Sequence, residues 1–246
     1  MQDGSQMLDF ETGEVLYFDK PLEWTSFDLV NKLRNNIKRE LGIKKLKIGH
    51  AGTLDPLATG VLIVCTGKKT KMIENLQYQT KEYVATIKLG ETTPSFDLET
   101  EVDATYPTEH ITKELVEETL KKFLGEIQQI PPAYSAVKVD GKRAYEYARK
   151  GKDVELKPKT LVIDEIELLE YSMPIVKIRV VCSKGTYIRA LARDIGEALN
   201  SGGHLTALCR TRIGDVTVDK CISLEQFDVL VKSMLALNNM NNQENR

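Results

Sequence analysis

The sequence predicts an α+β fold, a mixed and largely antiparallel sheet flanked by helices and loops. Three observations carry that reading. Residues 82–90 alternate apolar and polar at period two, the pattern of a half-buried strand. Residues 161–171 and 175–182 read as a hairpin of two long strands. Elsewhere, runs of short strands are interrupted by a few helices, the arrangement expected of α+β chains.

Taken in order, residues 14–18 read as a strand, and Asp19-Lys20-Pro21 turns the chain toward a helix capped by Thr25 or Ser26. That helix carries Phe27, Val30, Leu33, Ile37 and Leu41 at helical spacing. Residues 61–65 form a short apolar run, and 68–76 suit one or two helical turns. After the strand at 82–90 comes a polar loop, 92–106, that contains Asp97. A helix at 112–124 is expected to end at Gly125. Pro131-Pro132 makes the next stretch irregular, residues 134–139 are extended, and Asp140-Gly141 is a turn. Beyond the hairpin, Ser183-Lys184-Gly185 leads into a helix from Tyr187 to Leu199. Short strands at 205–208 and 216–218 and a last helix at 224–235 complete the expected elements. A single domain over residues 10–235 is expected, followed by a disordered tail, 236–246, because the stretch from Asn238 to Arg246 is Asn-rich and lacks apolar residues beyond Met240.

Composition sets bounds. The chain has 246 residues, 41% of them hydrophobic, enough for a sizeable core. The N-terminus is acidic and polar and does not resemble a signal peptide. No apolar run approaches the roughly 20 residues that span a bilayer, so a cytoplasmic protein with no membrane partner is expected. Cys65, Cys182, Cys209 and Cys221 lack C-x-x-C spacing and read as small buried hydrophobes rather than metal ligands or disulfides. A net charge of −2 gives no global hint of a nucleic-acid partner. Locally, Lys32, Arg34, Lys38, Arg39, Lys44, Lys45 and Lys47 crowd one segment, and Lys138, Lys142, Arg143, Arg149, Lys150 and Lys152 another. Such runs are commonly solvated faces. Two of them beside candidate site motifs suggest a positive rim.

The stretch Gly49-His50-Ala51-Gly52-Thr53-Leu54-Asp55-Pro56-Leu57-Ala58-Thr59-Gly60 packs three glycines, a histidine and one carboxylate into a dozen residues. Glycine relaxes the backbone, while Pro56 restricts Asp55 to extended geometry, so the carboxylate is held. An Asp55 N-cap with Pro56 opening a helix is the plain alternative. Four further segments accompany this loop: residues 19–28 (DKPLEWTSFD), Lys81-Glu82-Tyr83, residues 130–138 (IPPAYSAVK) with 141–145 (GKRAY), and residues 182–189 (CSKGTYIR). Together, in this order, they resemble the tRNA pseudouridine-55 synthases of the TruB type.

The resemblance implies the pseudouridine synthase fold, tRNA as partner through its T arm, no cofactor, no metal and no required protein partner; a monomer is expected. It places the catalytic aspartate at Asp55, its guanidinium partner at Arg189 and a tyrosine near the target base at Tyr187. Tyr83 is the residue that stacks on the flipped base, and His50 sits beside the everted nucleotide. Asp97 contacts RNA, Leu208 lines the pocket, and Lys20 belongs to the segment supporting the cleft. The chemistry agrees with these residue types. Breaking the bond from N1 to the sugar and rejoining the uracil through C5 needs a carboxylate as nucleophile or charge stabiliser and a base for the C5 proton. Arg193 has Glu197 four residues on and reads as an ordinary helix pair. Many relatives continue into a small C-terminal RNA-binding domain, whereas here the resemblance ends near Phe227, so no separate domain of that kind is expected.

Three rival readings stand beside this one. A phosphate loop around Gly60 and Thr66-Gly67-Lys68-Lys69-Thr70 fails on spacing, with six residues between the glycines and no Ser or Thr directly after Lys68. A glycosidase or base glycosylase would use the same carboxylate and release free base. An RNA-folding module would bind tRNA without needing the chemistry.

Overall fold

The computed structural model describes residues 8–244 and forms two compact units. One holds the described residues through Gln79 and again from Thr211; the other is Thr80–Arg210. No described helix is long and apolar enough to cross a membrane.

In the first unit, strand Val15–Lys20 runs antiparallel to Ala58–Thr66, with Val15 opposite Cys65 and Lys20 opposite Gly60. Strand Ile48–His50 pairs with the far edge of Ala58–Thr66, His50 opposite Val64. Helix Ser26–Leu41 starts where a reciprocal cap allows it: the Thr25 hydroxyl accepts from the Asp28 N–H, and the Asp28 carboxylate accepts from the Thr25 N–H. Gly42, at φ +69°, ends it. Its buried stripe runs through Leu29, Val30, Leu33 and Ile37, whereas Phe27, expected on that stripe, is 61% exposed. The spacing of Phe27 matches helical periodicity, but Leu29 lies closer to the centre of the apolar face.

This stripe meets Phe18 and Phe227, and Phe227 makes edge-to-face contacts with Phe10 and Phe18 at 6.0 and 5.4 Å. Phe227 belongs to the final helix, Leu224–Glu244, which continues through most of the segment expected to be a disordered tail. Asn245 and Arg246 lie outside the described residues.

In the second unit the strand order is Gly203–Ile213, Lys81–Leu89, Ile175–Cys182, Lys159–Ser172, Gly125–Gln129, the first strand running on past Arg210 into the first unit. The last three pairings in that order are antiparallel. The alternation in Lys81–Leu89 buries Lys81, Tyr83, Ala85, Ile87 and Leu89 on one face. Three features are not legible in the sequence. Gly125–Gln129 is an edge strand whose sequence, GEIQQ, has no apolar alternation. Ala144–Ala148 is a single helical turn. Gly203–Ile213 extends well beyond 205–208 because main-chain pairing does not require the apolar side chains that end there.

Helix Ile188–Ala198 lies against main chain. A β-carbon on Gly196 would come within 2.4 Å of the Gly203 nitrogen and 2.5 Å of the Gly202 carbonyl carbon, and one on Gly203 within 2.7 Å of the Ala192 carbonyl oxygen. Positions 189, 192 and 196 share a helix face, so this approach also fixes the direction of Arg189. Gly196→Ala has no flexible side chain to displace. We expect it to cost about 1–3 kcal/mol or more through overpacking, read as a lower urea midpoint with an unchanged m-value.

Candidate active site

Asp55 is carried by a loop, not a helix. Pro56 and Leu57 form a turn, the Ala58 N–H bonds to the Asp55 carbonyl at 3.1 Å, and strand Ala58–Thr66 begins at once. The helix-cap alternative therefore fails: the main chain at Ala58 is drawn into sheet pairing before a helical turn can close.

An irregular backbone must satisfy its polar groups elsewhere. The buried Ser26 hydroxyl accepts from the Leu54 N–H at 2.9 Å and faces the Leu54 carbonyl at 3.1 Å. The Lys20 ammonium, wholly buried, donates to the Trp24, Pro21 and Pro56 carbonyls at 2.6, 2.8 and 3.4 Å. The Glu23 N–H also donates to the Pro56 carbonyl, at 2.8 Å, and Asp19 accepts from the Gly60 N–H at 3.1 Å. Leu54 is thus buried, Pro56 exposed and Asp55 half-buried between them. Lys20, expected in the segment that supports the cleft, is a clamp inside the protein, its ammonium turned into main-chain carbonyls.

In the second unit, Arg189 occupies the second position of helix Ile188–Ala198. It is 4% exposed and sits in a helical first turn that contains no acidic residue. A buried cation at the positive end of a helix needs compensation. Its guanidinium donates to the Ser95 carbonyl at 3.1 Å and the Tyr134 carbonyl at 3.0 Å, and its Nε lies 3.6 Å from the buried Asp97 carboxylate. Asp97, expected to face RNA, therefore has an internal role beside Arg189. The loop around it is knitted: Thr93 and Ser95 hydroxyls bond the Asp97 carbonyl, and the Glu99 N–H bonds its carboxylate.

Arg193 does more than pair with Glu197. It forks onto Asp194 at 2.8 and 2.6 Å, donates to the Ile130 carbonyl at 3.2 Å and covers the Phe96 ring at 4.7 Å. Burial raises the Asp194 carboxyl above its ordinary range, against the opposing pull of Arg193.

Tyr187 caps the same helix, and its main chain is held by a residue that no sequence motif singles out. The fully buried Gln129 amide accepts from the Tyr187 N–H at 2.9 Å and donates to its carbonyl at 3.2 Å. Gln129 ends the edge strand that lacks apolar alternation, so no signal marks it. Tyr83, 8% exposed, and Leu208, half-buried, lie on neighbouring strands, and His50 on Ile48–His50. The structure thus groups Lys20 with the Asp55 loop in one unit and Arg189 with Asp97 and Tyr187 in the other. Among the described residues no group of three His, Cys, Asp or Glu could hold a metal. Cys65 and Cys182 are buried, Cys209 and Cys221 half-buried.

Lys81 is a second residue that sequence motifs leave without a role of its own. Burial, reinforced by the charge of Arg210, pushes its ammonium down to about 8, and burial pushes the opposite Cys182 thiol up to about 11.

The model of the TruB family pseudouridylate synthase N-terminal domain matches residues 38–188, and that of the tRNA pseudouridylate synthase B C-terminal domain matches 189–239. The tRNA pseudouridine synthase B of Phocaeicola vulgatus is 73% identical over 220 residues, covering 89% of this chain and 94% of that protein. The one from Flavobacterium johnsoniae is 55% identical, covering 89% and 96%. A chain in the crystal structure of a Cbf5–Nop10–Gar1 complex is 32% identical with a TM-score of 0.67, covering 89% of this chain. Because only 54% of that solved chain is covered, this chain spans about half its length. The sheet, its helices and these matches define a pseudouridylate synthase, an isomerase of RNA uridines. Within that class, the chain belongs to the TruB family.

Two outcomes follow from the geometry. Ser26→Ala leaves the buried Leu54 N–H and carbonyl without this partner and is expected to cost about 1–3 kcal/mol, read by urea denaturation. For Lys81, the unfolded lysine stays protonated to its ordinary value of 10.5 while the folded one has lost its proton above about 8. Its destabilising effect is therefore full below pH 8 and fades as pH rises toward 10.5. Lys81→Met should remove that rise, measured as the difference between parent and variant across the window.

Proposed function

We propose that this chain converts a uridine in the T loop of tRNA, position 55, into pseudouridine. Supporting this are the relatives named tRNA pseudouridine synthase B. The observation that carries the site assignment is the single carboxylate of Asp55, displayed from a loop whose neighbours are clamped by Lys20, Ser26, Asp19 and the Glu23 main chain.

The base is flipped out of the loop and held by stacking on Tyr83, with the apolar Leu208 on the neighbouring strand, and the resemblance assigns His50 a role beside the everted nucleotide. Asp55 acts on the sugar as the bond from N1 to C1′ breaks, either by attack or by stabilising positive charge. The uracil turns, C5 bonds to C1′, and the C5 proton leaves to a base, a role assigned to Tyr187. N1 gains a proton, so the product is an isomer and no oxidant or cofactor is consumed. The resemblance assigns Arg189, held beside Asp97, as guanidinium partner of the catalytic aspartate, the kind of charge that keeps a carboxylate ionised in a dry site. The enzyme works as a monomer in the cytoplasm without a protein partner.

Release of tritium from tRNA labelled at uridine C5 tests the reading. The parent should release it, whereas Asp55→Asn, which keeps the shape and removes the charge, should retain fold and tRNA binding and lose turnover. Turnover within about tenfold of the parent would overturn the role of Asp55. Free uracil in the product would mark a glycosylase instead.

A further inference from the structure

Six lysines from three separate stretches of the first unit line one open groove of about 780 Å³. Lys38 comes from the last turn of helix Ser26–Leu41, Lys44, Lys45 and Lys47 from the loop after it, and Lys68 and Lys71 from the 3-10 helix Gly67–Met72. The described lining includes a single acidic residue, Glu11.

The backbone beneath the groove is fixed. The Gly67 N–H donates to the Lys47 carbonyl at 2.9 Å and the Lys68 N–H to the Thr12 carbonyl at 3.0 Å. Gly67 has φ +50°, and a β-carbon there would lie 2.3 Å from the Glu11 carbonyl oxygen, so residues 11–13, 44–47 and 67–71 are drawn together through a position that only glycine fills.

What distinguishes these lysines is how little internal charge answers them. Elsewhere Lys32 pairs with Asp228 at 3.7 Å, Lys88 with Glu91 at 2.8 Å and Lys177 with Glu170 at 2.8 Å. Among the described residues, none of the six groove lysines has a carboxylate within 4.0 Å. The first basic run of the sequence thus divides. Lys32 is neutralised and Arg34 donates to Asn31 at 2.6 Å, while Lys38, Lys44, Lys45 and Lys47 join Lys68 and Lys71, which belong to neither basic run. Six like charges held in one groove of a chain whose net charge is −2, with Glu11 in the lining and Asp9 acting on Lys68, concentrate a positive field that an outside anion would relieve.

We infer that this groove binds the sugar–phosphate backbone of the substrate RNA, apart from the Asp55 loop, an assignment that rests on the proposed tRNA substrate. A small anion needs one or two donors, whereas six ammonium groups spread over three stretches suit successive phosphates. The described lining contains lysine and no arginine, so it offers point charges without the planar fork that reads a guanine edge. The groove therefore adds affinity and register without sequence preference.

The test uses the full chain with Lys68→Glu/Lys71→Glu and, separately, Lys44→Glu/Lys45→Glu; all four side chains are exposed, and circular dichroism confirms folding. Binding of unmodified tRNA and of a tRNA with a scrambled T loop is measured over a range of KCl concentrations. Each double variant should weaken both RNAs equally, on the order of tenfold, and lower the slope of log affinity against log salt by roughly one for each phosphate no longer engaged. The corresponding Lys→Gln pairs should show a smaller loss of the same kind. An unchanged slope with affinity within about twofold overturns the groove, as does a loss confined to one RNA. Tritium release by the parent separates the two readings. Release with an unchanged slope defeats the groove alone, whereas a reduced slope without release leaves the groove an RNA site and defeats the assigned activity.

Discussion

A buried guanidinium sets the terms for the second unit. Removing a charge from water costs several kcal/mol unless it is paired and hydrogen-bonded, and Arg189 adds the penalty of standing at the positive end of a helix. Its three partners come from two segments: the Asp97 carboxylate and the Ser95 carbonyl from one loop, and the Tyr134 carbonyl from another. None of those segments is regular secondary structure. The loop at 93–100 is held by its own hydroxyls, and residues 130–135 are broken by two prolines. The arginine gathers them, and the close approach of Gly196 to Gly202 and Gly203 decides where the arginine points.

The Asp55 loop solves the same problem with opposite materials. There the irregular main chain is the liability, and side chains satisfy it: a serine hydroxyl on Leu54 and a buried ammonium on the carbonyl of Pro56. A catalytic group needs its geometry fixed before substrate arrives, since interactions that reorganise during reaction lose much of their worth. Fixing a loop requires partners anchored in rigid elements. Lys20 and Ser26 meet that condition, one ending a sheet strand and the other opening a capped helix.

Charge in this protein is informative only once pairing is known. A net of −2 hides a sheet face where Arg179 is shared by Glu82 and Glu165, and a groove where lysines meet little opposing charge. Paired surface charges contribute little to stability and little field, whereas clustered like charges carry an energetic cost that a binding partner offsets. The two arrangements have the same composition and different uses.

The sequence by itself determined what depends on neighbours along the chain. The helix start at Thr25 or Ser26, the alternation of residues 82–90, the long hairpin and the carboxylate loop were all legible, because each is written within a few residues. The family motifs likewise identified Asp55 and Arg189 as residues to watch. Tertiary structure decided what depends on distant partners. Gln129 acquires its role from Tyr187, 58 residues away, Asp97 from Arg189, and Lys20 from Pro56, 36 residues away. The lysine groove combines Lys38 with residues 44–47 and 67–71, segments that the sequence separates and that meet at Gly67. A side chain's type is local, but whether it is buried, paired or left to an outside ligand depends on long-range packing, and that information has no period for a sequence to display.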